Sequence, residues 1–227
     1  MSQQLRNAFV AILAAPYYKN ERAKSGSFVA GHEDAIAAIF SDNGFVEQPG
    51  SICPAVNKTV LLEWADTGVS TVPEQVASAM PLGSFVLQPA GTQSFPDILL
   101  RDFTGRFFAI EAKSLSGSGA PMWNDNLPKA EAIYILSSGR ENATTVFLGK
   151  DVIDQAIYDL QKQMLEKLHQ VHSEFKAKFE AADKYNRGWD CKFRPQNFQH
   201  GGKEKTNYFT HRSRAACEQN VLSYVSV

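Results

Sequence analysis

The chain has 227 residues, 44% of them apolar, with a formal net charge of −1. That supports one domain with a substantial core. It excludes a disordered chain, and no apolar run reaches the ~18 residues of a membrane-spanning helix. Three widely spaced cysteines, Cys53, Cys191 and Cys217, lack CxxC patterning. They give neither a disulfide framework nor a zinc site, and they fit a reducing cytoplasm.

Residues Gln3 to Ala15 read as a first amphipathic helix ended by Pro16, in preference to a secretory leader. Tyr17 to Ser27 is polar and basic, a loop. Ile36, Ile39 and Phe40 share one helix face, and Asn43-Gly44 stops that helix. Glu33 and Asp34 lie in its first turn, where the helix dipole favours a carboxylate. Phe45 to Pro73 is irregular, broken by Pro49-Gly50, Pro54 and Gly68, with Val60 to Trp64 a short helix or strand. Thr71 to Met80 reads as a short helix and Ser84 to Pro89 as a strand. Gly91 marks a turn, or a close backbone approach to a phosphate.

Ser94 to Ser114 reads as a β-hairpin: Ile98-Leu99-Leu100, a turn over Asp102–Arg106, then Phe107-Phe108-Ala109-Ile110 running into Glu111-Ala112-Lys113. Strand alternation puts Glu111 and Lys113 on one face and Ala112 on the other. Charges at the end of a buried strand are costly unless they have partners or a job. Asp97 opens the neighbouring strand, so three charges meet at one end of the hairpin. Two carboxylates suit a hard divalent cation, and a lysine suits charge developing on a phosphate.

Pro96-Asp97 followed one hairpin later by Glu111-Ala112-Lys113 resembles the signature of the PD-(D/E)XK nuclease superfamily, whose largest group of free-standing members is the type II restriction endonucleases. The resemblance implies a restriction-endonuclease-like α/β (α+β) fold, a central mixed β-sheet of four to five strands flanked by helices, with residues 1–227 forming a single nuclease domain. It implies Mg²⁺ (with Mn²⁺ as a substitute) on Asp97, Glu111 and the Ala112 carbonyl, and Lys113 positioning the attacking water. Glu33 is the residue expected to line the metal site from the preceding helix, with Asp34 as the alternative. It further implies cleavage of double-stranded DNA at a short sequence to 5′-phosphate ends, a homodimer, and a bacterial or archaeal cytoplasm. The alternatives are a structure-selective repair or junction-resolving nuclease of the same fold, and a catalytically inactive DNA-binding module.

Beyond Lys113, Ser114 to Lys129 is a long polar loop in which Ser114, Ser116, Asn124 and Lys129 are candidate DNA contacts. Ala132–Ser137 and Thr144–Leu148 read as strands. Asp151 to Ala182 reads as one helix about 45 Å long with a single apolar stripe, so that either its far end packs on a second subunit or a break divides it near His169-Gln170. His169 and His172 on it are a metal pair only if a third ligand arrives. Residues 184–214 hold eight Lys or Arg against Asp190 and Glu204, with aromatics interleaved. This segment is the expected DNA-contacting element. Arg194, Gln196, Asn197, His200, Lys203, Lys205, Asn207, Arg212 and Arg214 are its candidate phosphate or base contacts. Val221 to Val225 reads as a closing strand or an interface.

Overall fold

The computed structural model describes residues 3–17, 21–22, 28–29, 31–52, 64–65, 74–91, 94–116, 120–121, 123–124, 127–188, 196–197, 199 and 207–227. Five helices are used below: α1 (Gln3–Ala14), α2 (Gly31–Asp42), α3 (Glu74–Ala79), α4 (Gln155–Ala182) and α5 (Arg214–Tyr224). The strands are β1 (Glu21–Arg22), β2 (Phe28–Val29), β3 (Val46–Gln48), β4 (Ser84–Leu87), β5 (Ile98–Arg101), β6 (Phe107–Leu115), β7 (Trp123–Asn124), β8 (Ile133–Ser138), β9 (Ala143–Leu148) and β10 (Gln196–Asn197).

Six strands form the central sheet in the order β3-β4-β5-β6-β8-β9. The β3/β4 and β6/β8 pairs are parallel and the others antiparallel, so the sheet is mixed. It exceeds the expected four to five strands because the short Val46–Gln48 segment joins its edge. Two-stranded ribbons, β1/β2 and β7/β10, lie outside it.

The hairpin forms because its turn satisfies its own polar groups. Asp102 is fully buried, and its Oδ1 accepts from the Thr104 N–H at 2.9 Å, the Thr104 hydroxyl at 2.8 Å and the Arg106 N–H at 2.9 Å. Gly105 takes the left-handed φ of +92° that this turn needs. From there β5 and β6 pair with Ile98 opposite Ile110 and Arg101 opposite Phe107.

Alternation along these strands splits the core in two. Ile98, Leu100, Phe108, Ile110, Ile133 and Ile135 face α1, α2 and the end of α5. The opposite face carries Ala109, Tyr134, Leu136 and Phe147 under Trp123 and Phe209, with Leu99 and Val86 under Val76 of α3 and Met80 just after it. The parallel β6/β8 step needs a crossover, and residues 116–132 supply it.

Two expectations change. Val221 to Val225 is the end of helix α5 and not a strand; Val221 and Val225 are fully buried, four residues apart on one helical face. The long helix begins at Gln155, after a 3₁₀ turn at Gly149–Asp151. The reading of Val60 to Trp64 falls mostly outside the described residues; Trp64 and Ala65 are helical. Among the described residues no helix is long and apolar enough to cross a membrane.

Candidate functional site

The hairpin register builds the site. One step beyond the Ile98–Ile110 pair, Asp97 comes opposite Glu111. The Ala112 N–H donates to Asp97 Oδ2 at 2.8 Å, which locks the carboxylate onto β6. Glu111 and Lys113 share a face, as alternation predicts, and Lys113 Nζ donates to Glu111 Oε1 at 2.7 Å. The other Glu111 oxygen, Oε2, is buried and has no hydrogen-bond partner among the described residues.

Glu33 reaches the same place from the first turn of α2. Its Oε2 accepts from Gln88 Nε2 at 3.4 Å, and the Gln88 N–H donates to the Asp97 carbonyl at 2.7 Å. Gln88 sits at a left-handed φ of +47° at the end of β4, in a turn closed by the Gly91 N–H on the Gln88 carbonyl at 2.9 Å. Gly91 therefore serves that turn, and a Cβ on it would meet nothing within 4 Å. Next to Glu33, the buried His32 hydrogen-bonds the Ala112 backbone. The sequence reading missed both Gln88 and His32. Only the position of His32, directly before Glu33 at a helix start, offered a signal.

Electrostatics bind these groups into one unit. Burial and then the neighbouring Glu111 carboxylate push the Asp97 carboxyl from 3.8 up to about 8, against the opposing pull of the Ala112 N–H. Burial raises Glu33 as well, the Gln88 amide opposes this, and Glu111 adds a smaller push upward. His32 is lowered, first by burial, against its Ala112 hydrogen bond, with Lys113 adding to the lowering. Three carboxylates stand against one ammonium, so the cluster lacks positive charge when ionised.

The residues fit a divalent cation on that ground and on the bare Glu111 Oε2. Asp97, Glu111 and the Ala112 carbonyl would be the protein donors. A carbonyl has two lone pairs, so the His32 contact does not exhaust that of Ala112. Among the described residues no group of three or more His, Cys, Asp or Glu is spaced to hold a metal ion, so further ligands would be water or substrate oxygen.

The proposed DNA contacts divide. Ser114 lies on β6 opposite Ser137, and Ser116 is exposed just past the strand end. Asn124 pairs with Gln196, and Trp123 with Asn197, joining the loop after Lys113 to the basic segment. Gln199 extends this junction, accepting from Trp123 Nε1 at 3.4 Å and from the Tyr208 hydroxyl at 2.9 Å. Arg212 is exposed.

Three candidates have polar groups engaged within the chain. Lys129 is buried, its N–H donating to the Tyr134 hydroxyl at 2.7 Å and its ammonium near the Tyr158 ring. Arg214 pairs with Glu218 at 2.7 Å, donates to the Phe209 and Thr144 carbonyls and stacks on the Phe209 ring. Asn207 Oδ1 accepts from the Phe209 N–H at 2.9 Å, shaping the turn before α5. Arg194, His200, Lys203 and Lys205 lie outside the described residues.

No family model matches the sequence, and neither a curated protein nor a solved structure matches it.

Proposed function

We propose that the chain is a Mg²⁺-dependent endonuclease of the PD-(D/E)XK type, resembling type II restriction enzymes, that cuts double-stranded DNA at a short sequence and leaves 5′-phosphate ends. The observation that carries this reading is Asp97 opposite Glu111, with Lys113 on one Glu111 oxygen and the other bare and buried.

A bound Mg²⁺ supplies Lewis-acid polarisation of the scissile phosphate and a more acidic water. Asp97 and Glu111 would hold it, and the Ala112 N–H fixes which Asp97 oxygen stays on the protein. Lys113, about a quarter exposed, is the group able to leave Glu111, orient the attacking water and offset negative charge growing on the phosphorus. Glu33 would take a water in the outer shell, held by Gln88. The β7/β10 ribbon ties the loop after Lys113 to the basic segment. A two-stranded ribbon has the width to enter a major groove, where Asn and Gln amides recognise adenine edges.

Incubating the purified chain with a plasmid of mixed sequence, with Mg²⁺ or Mn²⁺ and then with EDTA, tests the reading. Discrete fragments that require the metal, and that vanish in Asp97→Ala and Glu111→Ala, are expected. Cleavage confined to branched or mismatched DNA would move the assignment to a repair nuclease. Full metal-dependent cutting by Asp97→Ala would overturn it.

A further inference from the structure

Helix α4 runs 28 residues, and none of them is buried. At 1.5 Å per residue it is about 42 Å long. Its first turns approach the body, where Ile157 and Gln161 border a cavity with Trp123, Leu127 and Pro128. Beyond them Leu160, Met164, Leu168, Val171, Phe175 and Phe179 stand 37–65% exposed along one face. This is a continuous apolar stripe, unlike the scattered exposed side chains of an ordinary surface.

The spacing identifies what covers it. From Ile157 the steps are 3, 4, 4, then again 3, 4, 4, so Ile157, Leu168 and Phe179 fall eleven residues apart. An eleven-residue repeat advances about 3.67 residues per turn, close to the helix's own 3.6, and the stripe stays on one side for its full length. Burying it end to end takes another helix of similar length and period. Among the described residues α4 is the one helix of this length, so a second copy of the chain supplies the match.

Charge and area agree. Four acidic and four basic residues lie on α4, so two copies meet without net repulsion. The balance does not favour an anionic lipid surface, which attracts a basic excess. The exposed stripe amounts to roughly 700 Å² per copy, or ~1,400 Å² over two, within the range of stable interfaces.

We infer that two copies of this chain associate face to face through the apolar stripe of α4, in an isologous interface with the same residues on both sides. The inference stands independently of the nuclease reading.

Sedimentation velocity of the full chain from about 1 to 50 μM tests it, a span set by the affinity expected of an interface this size. The wild type is expected to reach twice the 25.1 kDa chain mass. The Leu168→Glu, Phe175→Glu double variant is expected to stay at the single-chain mass with an unchanged far-ultraviolet spectrum. A monomeric wild type at the top concentration, or a variant that still dimerises, overturns the inference. Hydrogen exchange of residues 160–179 in the wild type decides the matter if the variant fails to fold. Protection that rises with protein concentration supports pairing of copies. Protection independent of concentration means that another segment of the same chain covers the stripe, and it overturns the inference.

Discussion

Replacing Asp97 by Asn should make the metal-free protein more stable, and increasingly so as the pH rises. The amide keeps the shape and can still accept the Ala112 N–H, but it cannot ionise beside Glu111. In the wild type the carboxyl is held up to about 8 in the folded state, against 3.8 when unperturbed. Between those values the folded chain keeps the proton and the unfolded chain has released it. The favourable contribution is therefore fully present below pH ~4 and is lost as the pH rises through 8. Taken at face value the displacement amounts to an upper bound of about 6 kcal/mol above pH 8. Relaxation and water entry reduce such penalties, so a gain of about 1–3 kcal/mol at pH 9 is the expectation. At pH 5 the unfolded chain has released most of this proton and the folded chain keeps it, so about a third of the full difference should have developed. Urea denaturation of both proteins at pH 5, 7 and 9, in EDTA and in Mg²⁺, measures this. Mg²⁺ should stabilise the wild type at pH 9 and leave Asp97→Asn almost unmoved. A variant less stable than the wild type at pH 9, or a difference that does not change with pH, would show that Asp97 is not a destabilised carboxylate waiting for a counter-charge.

Lys113→Ala should lower cleavage by about 10²-fold or more, while Mg²⁺ still raises the melting temperature, because the proposed role of the lysine is toward the attacking water and phosphate and not as a metal donor; single-turnover kinetics with and without the substitution check this. Arg214→Ala should cost about 1–2 kcal/mol in urea denaturation, discounted for its partial exposure, and leave DNA affinity within about twofold, since its guanidinium is already engaged by Glu218 and two carbonyls. A large loss of affinity at unchanged stability would instead return it to the DNA-contacting set. Gly149→Ala should destabilise by about 2–4 kcal/mol, because a Cβ there runs into the Lys129 carbonyl at the turn between β9 and α4; the urea midpoint reports it.

The hairpin was legible because its signals agree at every level: alternation in both strands, an Asx-type turn at Asp102 and a glycine where φ is positive. The last helix was not. Val221-Leu222-Ser223-Tyr224-Val225 contains β-branched residues that favour a strand when taken alone. In the fold the same residues follow Arg214, which is anchored to β9 through the Thr144 carbonyl, and Val221 and Val225 enter the core one helical turn apart. Tertiary contact with β9 decides against local propensity, and no window of five residues contains that contact. Arg214 shows the same limit: in sequence it ends a basic run, while in the fold its guanidinium engages a helix neighbour and two carbonyls.

The site divides along the same line. Asp97, Glu111 and Lys113 were readable because one hairpin carries all three and its register alone brings them together. Glu33 was readable as a helix-start carboxylate, but its connection to Asp97 passes through Gln88, whose role depends on a main-chain bond and a left-handed turn. His32 acts on the Ala112 backbone, so neither partner's side chain advertises the pairing in the sequence. Both missed residues do one kind of work: they fix the main chain around the carboxylates and leave the charges themselves to the motif. A scaffold that buries carboxylates together with one ammonium among three is strained toward protonation, and Asp97 records that strain, first through burial and then through Glu111. On the proposed reading the same arrangement, preorganised before any cation arrives, would let the cation bind without further rearrangement of the chain.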